Sequence, residues 1–226
     1  EAGVNHNGSL ELAKNLVKEA AKSGAGIIKF QSFVSANLAL KKALKAPYQQ
    51  VVTGCGGSQR DLLSKLELNR EHHVHLIECC KSQEIGFLSS AFDFESIDLL
   101  HDLDASEYIK IPSGEITNLP YLRRLCGLKR KILLSTGMAS IAEIGNALEV
   151  IESVGIEKDD ITILHCTTEY PAPLDEVNLK AMVNMGRAFG VKFGYSDHTK
   201  GTEVAVAAVA LGATVIEKHL TLNNDL

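Results

Sequence analysis

The sequence has no tryptophan, and aromatic residues make up only 5% of its 226 residues. Such a composition argues against a surface that stacks nucleic-acid bases and against an aromatic belt at a membrane interface. The formal net charge is −5, so the chain also lacks the basic surplus typical of nucleic-acid-binding proteins. Its longest apolar run, around residues 204–211, is far too short to cross a bilayer. We therefore expect no nucleic-acid partner and no membrane partner.

Cysteine is present, but its pattern does not suit a disulfide framework. The count is odd and two of the residues are adjacent; the five are Cys55, Cys79, Cys80, Cys126 and Cys166. Free thiols in a reducing compartment explain this pattern better than disulfides do, and the absence of a CxxC spacing argues against a thiolate zinc site. With 45% apolar and 23% charged residues, the composition is that of an ordinary globular protein. We expect it to be cytoplasmic.

Short β-rich runs alternate with longer stretches of helical periodicity. The predicted strands are Glu1–Asn5, Ile27–Phe33, Gly86–Ala91, Tyr108–Ile111, Lys131–Ser135, Ile161–Cys166, Lys192–Tyr195 and Thr214–Lys218. Helical spacing is clear over 10–23, 140–154 and 202–211, and Ser140 with Glu143 predicts a capping box. Strands that alternate with helices, without hairpin motifs, predict a parallel α/β sheet, and eight of them favour a closed (β/α)8 TIM barrel over an open doubly wound sheet. The chain stops soon after the eighth strand.

One predicted connection is unusually long. Val34–Gly57 joins the second strand to its helix and contains one proline and three glycines. In a compact barrel, a connection of this length is usually a functional lid or a substrate-binding loop.

Polar residues gather where the predicted strands end, and barrel enzymes place their chemistry at that face. The ammonium and hydroxyl groups of four of them could together satisfy a phosphate and a carboxylate; these are Lys29, Lys110, Ser113 and Ser196. The alternative for each lysine is a salt bridge in the barrel mouth. Gln31, on the same strand as Lys29, is a further candidate to bind substrate.

Two histidines close neighbouring predicted strands. His198 follows the seventh strand and His219 the eighth, so both imidazoles could reach one divalent ion, although their spacing alone does not name the metal. Glu115 could act as a general base toward water, or it could neutralise Lys110.

The other histidines and Cys166 favour structural roles. We interpret His165 as a hydrogen-bonded core residue and Cys166 as a packing residue without an activating partner. His72, His73 and His75 lie on a polar helical stretch and are interpreted as solvated surface.

Seven sequence strings together resemble the N-acetylneuraminate (sialic acid) synthase family, which includes the legionaminate and pseudaminate synthases. They are EAGVNHNG at Glu1–Gly8, IKFQSF at Ile28–Phe33, YIKIPSGE at Tyr108–Glu115, ILLSTGM at Ile132–Met138, HCTTEYPAP at His165–Pro173, GYSDHT at Gly194–Thr199 and GATVIEKHLTL at Gly212–Leu222. Thr168–Pro171 resembles the sialate and legionaminate branches more than the pseudaminate branch. The resemblance implies that residues 1–226 form a TIM-barrel catalytic domain, and that the eighth helix and the family's small antifreeze-like C-terminal domain are absent from this chain.

The resemblance implies a specific reaction. Phosphoenolpyruvate condenses with water and an open-chain N-acetylated amino sugar, either N-acetylmannosamine or a 6-deoxy diacetamido analogue, and the products are a nine-carbon 2-keto acid and phosphate. The implied cofactor is a divalent metal, usually Mn²⁺ with Mg²⁺ as the alternative, and the implied partner is a second subunit in a homodimer.

The resemblance also assigns residues to this reaction. It implies that His198 and His219 bind the metal. The residues implied to hold phosphoenolpyruvate are Lys29, Ser90, Lys110, Ser113 and Ser196, while Glu1, Glu115 and Tyr170 would face the amino sugar or the reacting water. Thr168 stands where some members carry Asn, at a phosphate contact. Glu1, Glu115 and Lys110 are the catalytic candidates.

Two other functions fit the same fold. One is a Schiff-base aldolase with Lys110 or Lys218 as the nucleophile. The other is a non-catalytic module that binds a sugar phosphate, because barrels host many unrelated functions.

Overall fold

A computed structural model describes residues 1–45 and 57–224 and divides the chain into two compact units. The N-terminal unit comprises Ala2–Ala105 with Leu220–Leu226, and the C-terminal unit comprises Ser106–His219 with Glu1. Much of the predicted Val34–Gly57 loop and Cys55 lie outside the described residues. Within the described ranges, no helix has both the length and the hydropathy that a transmembrane span requires.

The N-terminal unit is built on two parallel strands. Its elements are α1 (Leu10–Lys22), β1 (Ile27–Ser32), α2 (Ser35–Leu38), α3 (Gln59–Ser64), α4 (Arg70–Ser82), β2 (Gly86–Ala91) and α5 (Phe94–Asp102). The pairing of β1 with β2 runs from Ile27–Gly86 to Ser32–Ala91. Helices α1 and α4 bury their apolar faces against the strands, and Leu16, Phe30 and Leu76 lie in the resulting core.

The predicted first strand does not form. Residues 1–5 contribute only an isolated bridge between Gly3 and Phe30. The chain turns at once, because the backbone N–H of Asn5 donates to Ala2 and that of Asn7 donates to Val4. Gly3 within the segment, and Asn7 and Gly8 directly after it, have positive φ angles, which an extended strand does not allow. The apolar residues at the start of this segment led to the prediction of a strand. The turns that follow them prevent an extended conformation.

The C-terminal unit is a five-stranded parallel sheet with a helix in every connection. Its elements are β3 (Tyr108–Ile111), α6 (Leu119–Cys126), β4 (Lys131–Ser135), α7 (Ile141–Ser153), β5 (Ile161–His165), α8 (Leu179–Phe189), β6 (Lys192–Asp197), α9 (Glu203–Ala210) and β7 (Ile216–Lys218). The strand order is sequential from β3 to β7. It has no reversal of the kind that defines a doubly wound sheet. The predicted parallel α/β architecture is confirmed, as are seven of its strands and the capping box at Ser140.

Alternation along β6 and β7 assigns residues to the two faces of this sheet. Phe193 packs against Gly186 of α8, and Tyr195 is fully buried in a cluster with residues of α8 and α9. Successive side chains of a strand point to opposite faces, so Ser196 lies on the face away from these helices. Ile216 packs into the same cluster, and Glu217 therefore shares the face of Ser196.

His73 is buried, so the interpretation of this histidine as solvated surface is wrong. Its Nδ1 donates to the carbonyl oxygen of Asn69 at 2.8 Å, and its Nε2 lies 2.6 Å from the hydroxyl of Ser32. Helix α4 turns His73, Leu76 and Cys80 toward the sheet, at the spacing that defines one helical face. The polar character of the surrounding sequence concealed this face.

A second buried imidazole makes the stability of the N-terminal unit depend on pH. His6 is fully buried, and its Nδ1 accepts a hydrogen bond from the backbone N–H of Gly8. Burial, with the nearby His72 and His73, lowers the pKa of His6 from 6.5 to about 4. Below pH 6.5 the unfolded chain then binds more protons than the folded chain. The free energy of unfolding should therefore keep the full contribution of neutral His6 above pH 6.5. It should fall by up to about 3 kcal/mol as the pH drops to 4.

We expect His6→Asn to flatten this pH dependence, because an amide oxygen can still accept from Gly8 but does not titrate. The measurement is the free energy of unfolding in urea at pH 7 and pH 5. His101→Asn, which replaces an exposed histidine of α5, is the control and should keep the original slope. A His6→Asn slope equal to that of the control would contradict the assignment.

Candidate active site

A buried carboxylate joins two residues that the sequence assigned to anion binding. Glu217 Oε1 accepts from Lys110 Nζ at 2.9 Å and from Ser196 Oγ at 2.8 Å. The side chains of Lys110 and Glu217 are only 4% and 11% exposed, so their attraction acts in a medium of low dielectric constant. Three strands, β3, β6 and β7, thus meet at one charged cluster.

Glu217 is the residue that sequence reasoning missed. It lies within the predicted strand Thr214–Lys218, but no role was predicted for it. A signal was available, because the apolar Ile216 beside it predicts that Glu217 faces the other side of the sheet, where Ser196 also lies. The salt-bridge alternative for Lys110 therefore holds, with Glu217 as the partner.

Glu115 does not neutralise Lys110. It lies on the 3-10 turn Ser113–Glu115 that follows β3, and its Oε2 accepts from Asn118 Nδ2 at 2.8 Å. The carboxylate is half-buried. Its assignment as a general base stays a prediction.

Hydroxyl and backbone donors converge where β4 and β5 end. Ser113 Oγ accepts from the backbone N–H of Gly137 at 2.9 Å and lies 3.3 Å from Cys166 Sγ. A methyl group on Gly137 would lie 2.3 Å from Thr168 Oγ1 and 2.9 Å from Ser113 Oγ. Only glycine fits at this close approach, and the Ser113 and Thr168 hydroxyls beside it are donors that an anionic oxygen could use.

The two candidate metal ligands lie close together. His198 follows β6 and His219 follows β7, and their ring centroids are 5.6 Å apart. His198 Nδ1 donates to the carbonyl oxygen of Thr167 at 2.6 Å, so the lone pair is on Nε2, which lies 3.5 Å from Ser196 Oγ. His219 Nε2 lies 3.5 Å from the Glu1 carboxylate. Tyr170 packs on both imidazoles, with its ring centroid 4.1 Å from that of His198.

This arrangement fits a divalent cation held by His198 and His219. A histidine whose other ring nitrogen donates to a carbonyl is typical of metal sites, because that hydrogen bond selects the tautomer and orients the ring. Among the described residues, no group of three or more His, Cys, Asp or Glu side chains is arranged to bind a metal. The remaining ligands would thus be water or substrate oxygens. Two imidazoles with oxygen ligands do not by themselves name the metal.

The N-terminal unit holds the other three predicted substrate-binding residues. Lys29 and Gln31 alternate with Phe30 along β1 and therefore share one face, and Ser90 is the register partner of Gln31 on β2. Lys29 and Ser90 are buried. Ser90 Oγ has no hydrogen-bond partner among the described residues, and a buried hydroxyl without one calls for a ligand or water.

Two further candidates face the helices instead. His165 packs its ring 5.9 Å from that of Tyr195, and burial lowers the pKa of His165. Its Nε2 finds no partner within the described chain, so the interpretation as a core residue holds without the expected hydrogen bond at that atom. Lys218 Nζ donates to Asp197 Oδ2 and to the carbonyl oxygen of Thr199, each at 2.8 Å.

The chain matches the NeuB family model over residues 16–226. It belongs to the NeuB family. It is 55% identical over 226 residues to the N,N'-diacetyllegionaminic acid synthase of Campylobacter jejuni, a match that covers all of this chain and 67% of that protein. Identity to the Legionella pneumophila protein of the same name is 44%, over all of this chain and 64% of that protein. The chain thus spans about two thirds of the length of these curated relatives.

A solved structure agrees with this assignment. The N-acetylneuraminic acid synthetase of Leptospira borgpetersenii, in complex with citrate, superposes with a TM-score of 0.85 at 30% identity. The superposition covers 98% of this chain and 72% of the other. The resemblance found from the seven sequence strings is therefore confirmed.

The Lys110–Glu217 pair should be important for stability. Glu217→Leu leaves a buried ammonium without its carboxylate, and we expect it to lower the free energy of unfolding by about 3–5 kcal/mol. The double variant Lys110→Met/Glu217→Leu should recover most of that loss, as measured by urea denaturation. Glu107→Leu is the control, because it breaks the exposed Lys131–Glu107 pair of equal length, 2.9 Å, and should cost at most about 1 kcal/mol. A Glu217→Leu loss no larger than the control's would contradict this role.

Proposed function

We propose that the protein condenses phosphoenolpyruvate with water and an N-acetylated amino sugar to give a nine-carbon 2-keto acid of the sialic acid type and phosphate. The observation that carries this proposal is the convergence of Lys110, Ser196 and the two histidines at the carboxyl ends of β3, β6 and β7. The names of the two curated relatives favour the 6-deoxy diacetamido sugar over N-acetylmannosamine as the acceptor.

We further propose that the whole protein is a cytoplasmic homodimer built on a closed (β/α)8 barrel, with an antifreeze-like domain after residue 226. Sequential parallel strand order within the C-terminal unit supports the barrel. The length of the curated relatives leaves room for a further domain.

Several residues are proposed to bind phosphoenolpyruvate. Lys110 and Ser196 donate to the anionic oxygens of phosphoenolpyruvate, with Ser113 and Thr168 beside them, and Lys29, Gln31 and Ser90 are the candidates from the N-terminal unit. Glu217 holds the Lys110 ammonium in place. Fixed cations and hydroxyls of this kind stabilise charge without reorganising during the reaction.

The bond changes follow from the substrates. C3 of phosphoenolpyruvate bonds to the aldehyde carbon of the open-chain sugar, water adds at C2, and the C–O bond to phosphate breaks. Glu115 takes the proton of that water, while Glu1 and Tyr170 face the sugar. A divalent ion held by His198 and His219, Mn²⁺ or alternatively Mg²⁺, supplies Lewis-acid polarisation of the aldehyde when bound.

The Schiff-base aldolase is less well supported. Lys218 is engaged with Asp197 and lies on the helix-facing side of the sheet, away from Ser196. Lys110 Nζ is held in a buried ion pair with Glu217 at 2.9 Å and is not presented as an unengaged amine. No observation favours a non-catalytic binding module.

The decisive test is a phosphate-release assay on the whole protein, with phosphoenolpyruvate, Mn²⁺ and a panel of N-acetylated hexosamines. We expect phosphate release that requires an acceptor sugar and stops when a chelator is added. A covalent adduct trapped by borohydride with pyruvate would support the aldolase instead. Tight binding of phosphoenolpyruvate and Mn²⁺ without turnover of any sugar would support the binding module.

The metal site has a test of its own. His198→Ala/His219→Ala should abolish stoichiometric Mn²⁺ uptake by the whole protein, measured by titration calorimetry, because both proposed imidazole ligands are removed. His75→Ala/His101→Ala is the control, since it removes two histidines from the surface of the N-terminal unit and should leave uptake unchanged. Uptake retained in the first double variant would place the metal elsewhere.

A further inference from the structure

The strand that carries His219 is short. β7 has three residues, and its ladder with β6 runs only from Tyr195–Ile216 to Asp197–Lys218. β7 stands last in the strand order, so among the described strands it has one neighbour. None of its three residues is fully buried. Few backbone hydrogen bonds therefore hold the residue that follows it.

A side-chain cluster compensates for this short ladder. The Asp197 clamp, defined as Asp197, Thr199 and Lys218, joins the end of β6 to the end of β7. Lys218 Nζ donates to Asp197 Oδ2 and to the Thr199 carbonyl oxygen, each at 2.8 Å. Asp197 Oδ1 accepts from the backbone N–H of Thr199 at 2.9 Å and from its hydroxyl at 2.7 Å. The clamp thus holds the residues on both sides of His198 and the residue directly before His219.

The clamp does not touch the substrate-facing side of the sheet. Alternation places Asp197 with Tyr195, and Lys218 with Ile216, on the helix-facing side. The Asp197 side chain is fully buried and that of Lys218 is 30% exposed, so solvent and salt screen their contact less than they screen a surface pair. An effect of the clamp on the two imidazoles would therefore act through the backbone.

Both imidazoles have contacts outside the clamp, and His219 Nε2 lies 3.5 Å from the Glu1 carboxylate. The His198 carbonyl oxygen accepts from the backbone N–H of Ala172 at 2.9 Å, and its Nδ1 donates to Thr167. Around β7, the Lys218 carbonyl oxygen accepts from the backbone nitrogen of Glu1 at 2.5 Å. Lys218 directly precedes His219 in the chain and reaches the backbone around His198 only through Asp197 and Thr199, so a change of Lys218 should move His219 more than His198.

We propose that Asp197 and Lys218 are positioning residues that set the separation of His198 and His219 and thereby the affinity of this pair for a divalent metal. The metal part of this inference rests on the proposed function. The effect on the geometry of His219 does not.

The test compares Lys218→Met, Asp197→Asn and Lys218→Arg in the whole protein, with Mn²⁺ alone as the probe. Lys218→Met and Asp197→Asn should each weaken Mn²⁺ binding on the order of tenfold, the lower end of the loss typical when residues that orient metal ligands are removed. Lys218→Arg keeps the charge and should retain most of the affinity. The control is Lys131→Met, which breaks the pair that joins the amino ends of β3 and β4, and it should leave the Mn²⁺ affinity unchanged.

A purely structural role gives a different result. In that case Lys218→Met would lower the melting temperature while the folded protein kept its Mn²⁺ affinity, and that outcome overturns the proposal. Asp197→Asn is the more buried change, so if it fails to fold, Lys218→Met alone decides.

A second measurement needs no metal. In protein with ¹³C-labelled histidine, the ring resonance of His219 should shift or broaden in Lys218→Met, while that of His198 changes less. An unchanged His219 resonance overturns the proposal. If the wild-type protein takes up no Mn²⁺, the metal part of the proposed function is wrong. The positioning role of the Asp197 clamp is then tested by this spectrum alone.

Discussion

The pairing of β6 with β7 is the constraint on which the candidate site depends. Two parallel strands in fixed register present alternate residues to opposite faces. Neighbouring residues of these strands therefore contribute to two separate clusters, one on each face of the sheet. One face places Ser196 beside Glu217, and the other places Asp197 beside Lys218. The imidazoles that follow are brought together as a consequence, with ring centroids 5.6 Å apart. A slip of one residue would exchange the faces and separate every one of these contacts.

The charges of the site are acceptable inside the protein because each has a partner. A buried ammonium is costly unless a carboxylate compensates it, and Glu217 does this for Lys110. The arrangement has a chemical consequence, since the same carboxylate oxygen also accepts from Ser196. Glu217 occupies the point where two donors converge. An anionic ligand therefore meets donors whose positions are already defined.

Local sequence was sufficient for most of the architecture. Seven of eight predicted strands were found, because period-2 and period-3.6 patterns reflect burial directly. The segment at Glu1–Asn5 failed because consecutive turns, with Asn7 in a positive-φ conformation, overrode a short apolar run. His73 was misassigned because a mostly polar helix still buries one face, and hydrogen bonds to Ser32 and Asn69 make that burial acceptable for an imidazole.

The sequence by itself determined the family, the parallel α/β class and the strand-end location of the candidate residues. Those features depend on composition, spacing and order along the chain, which need no knowledge of distant contacts. Only the tertiary structure decided that Lys110 pairs with Glu217 rather than Glu115, and that Lys218 pairs with Asp197. The partner of a charged side chain depends on which strands lie side by side and which face each residue takes. Residues more than a hundred positions apart, as Lys110 and Glu217 are, meet only after folding has set both.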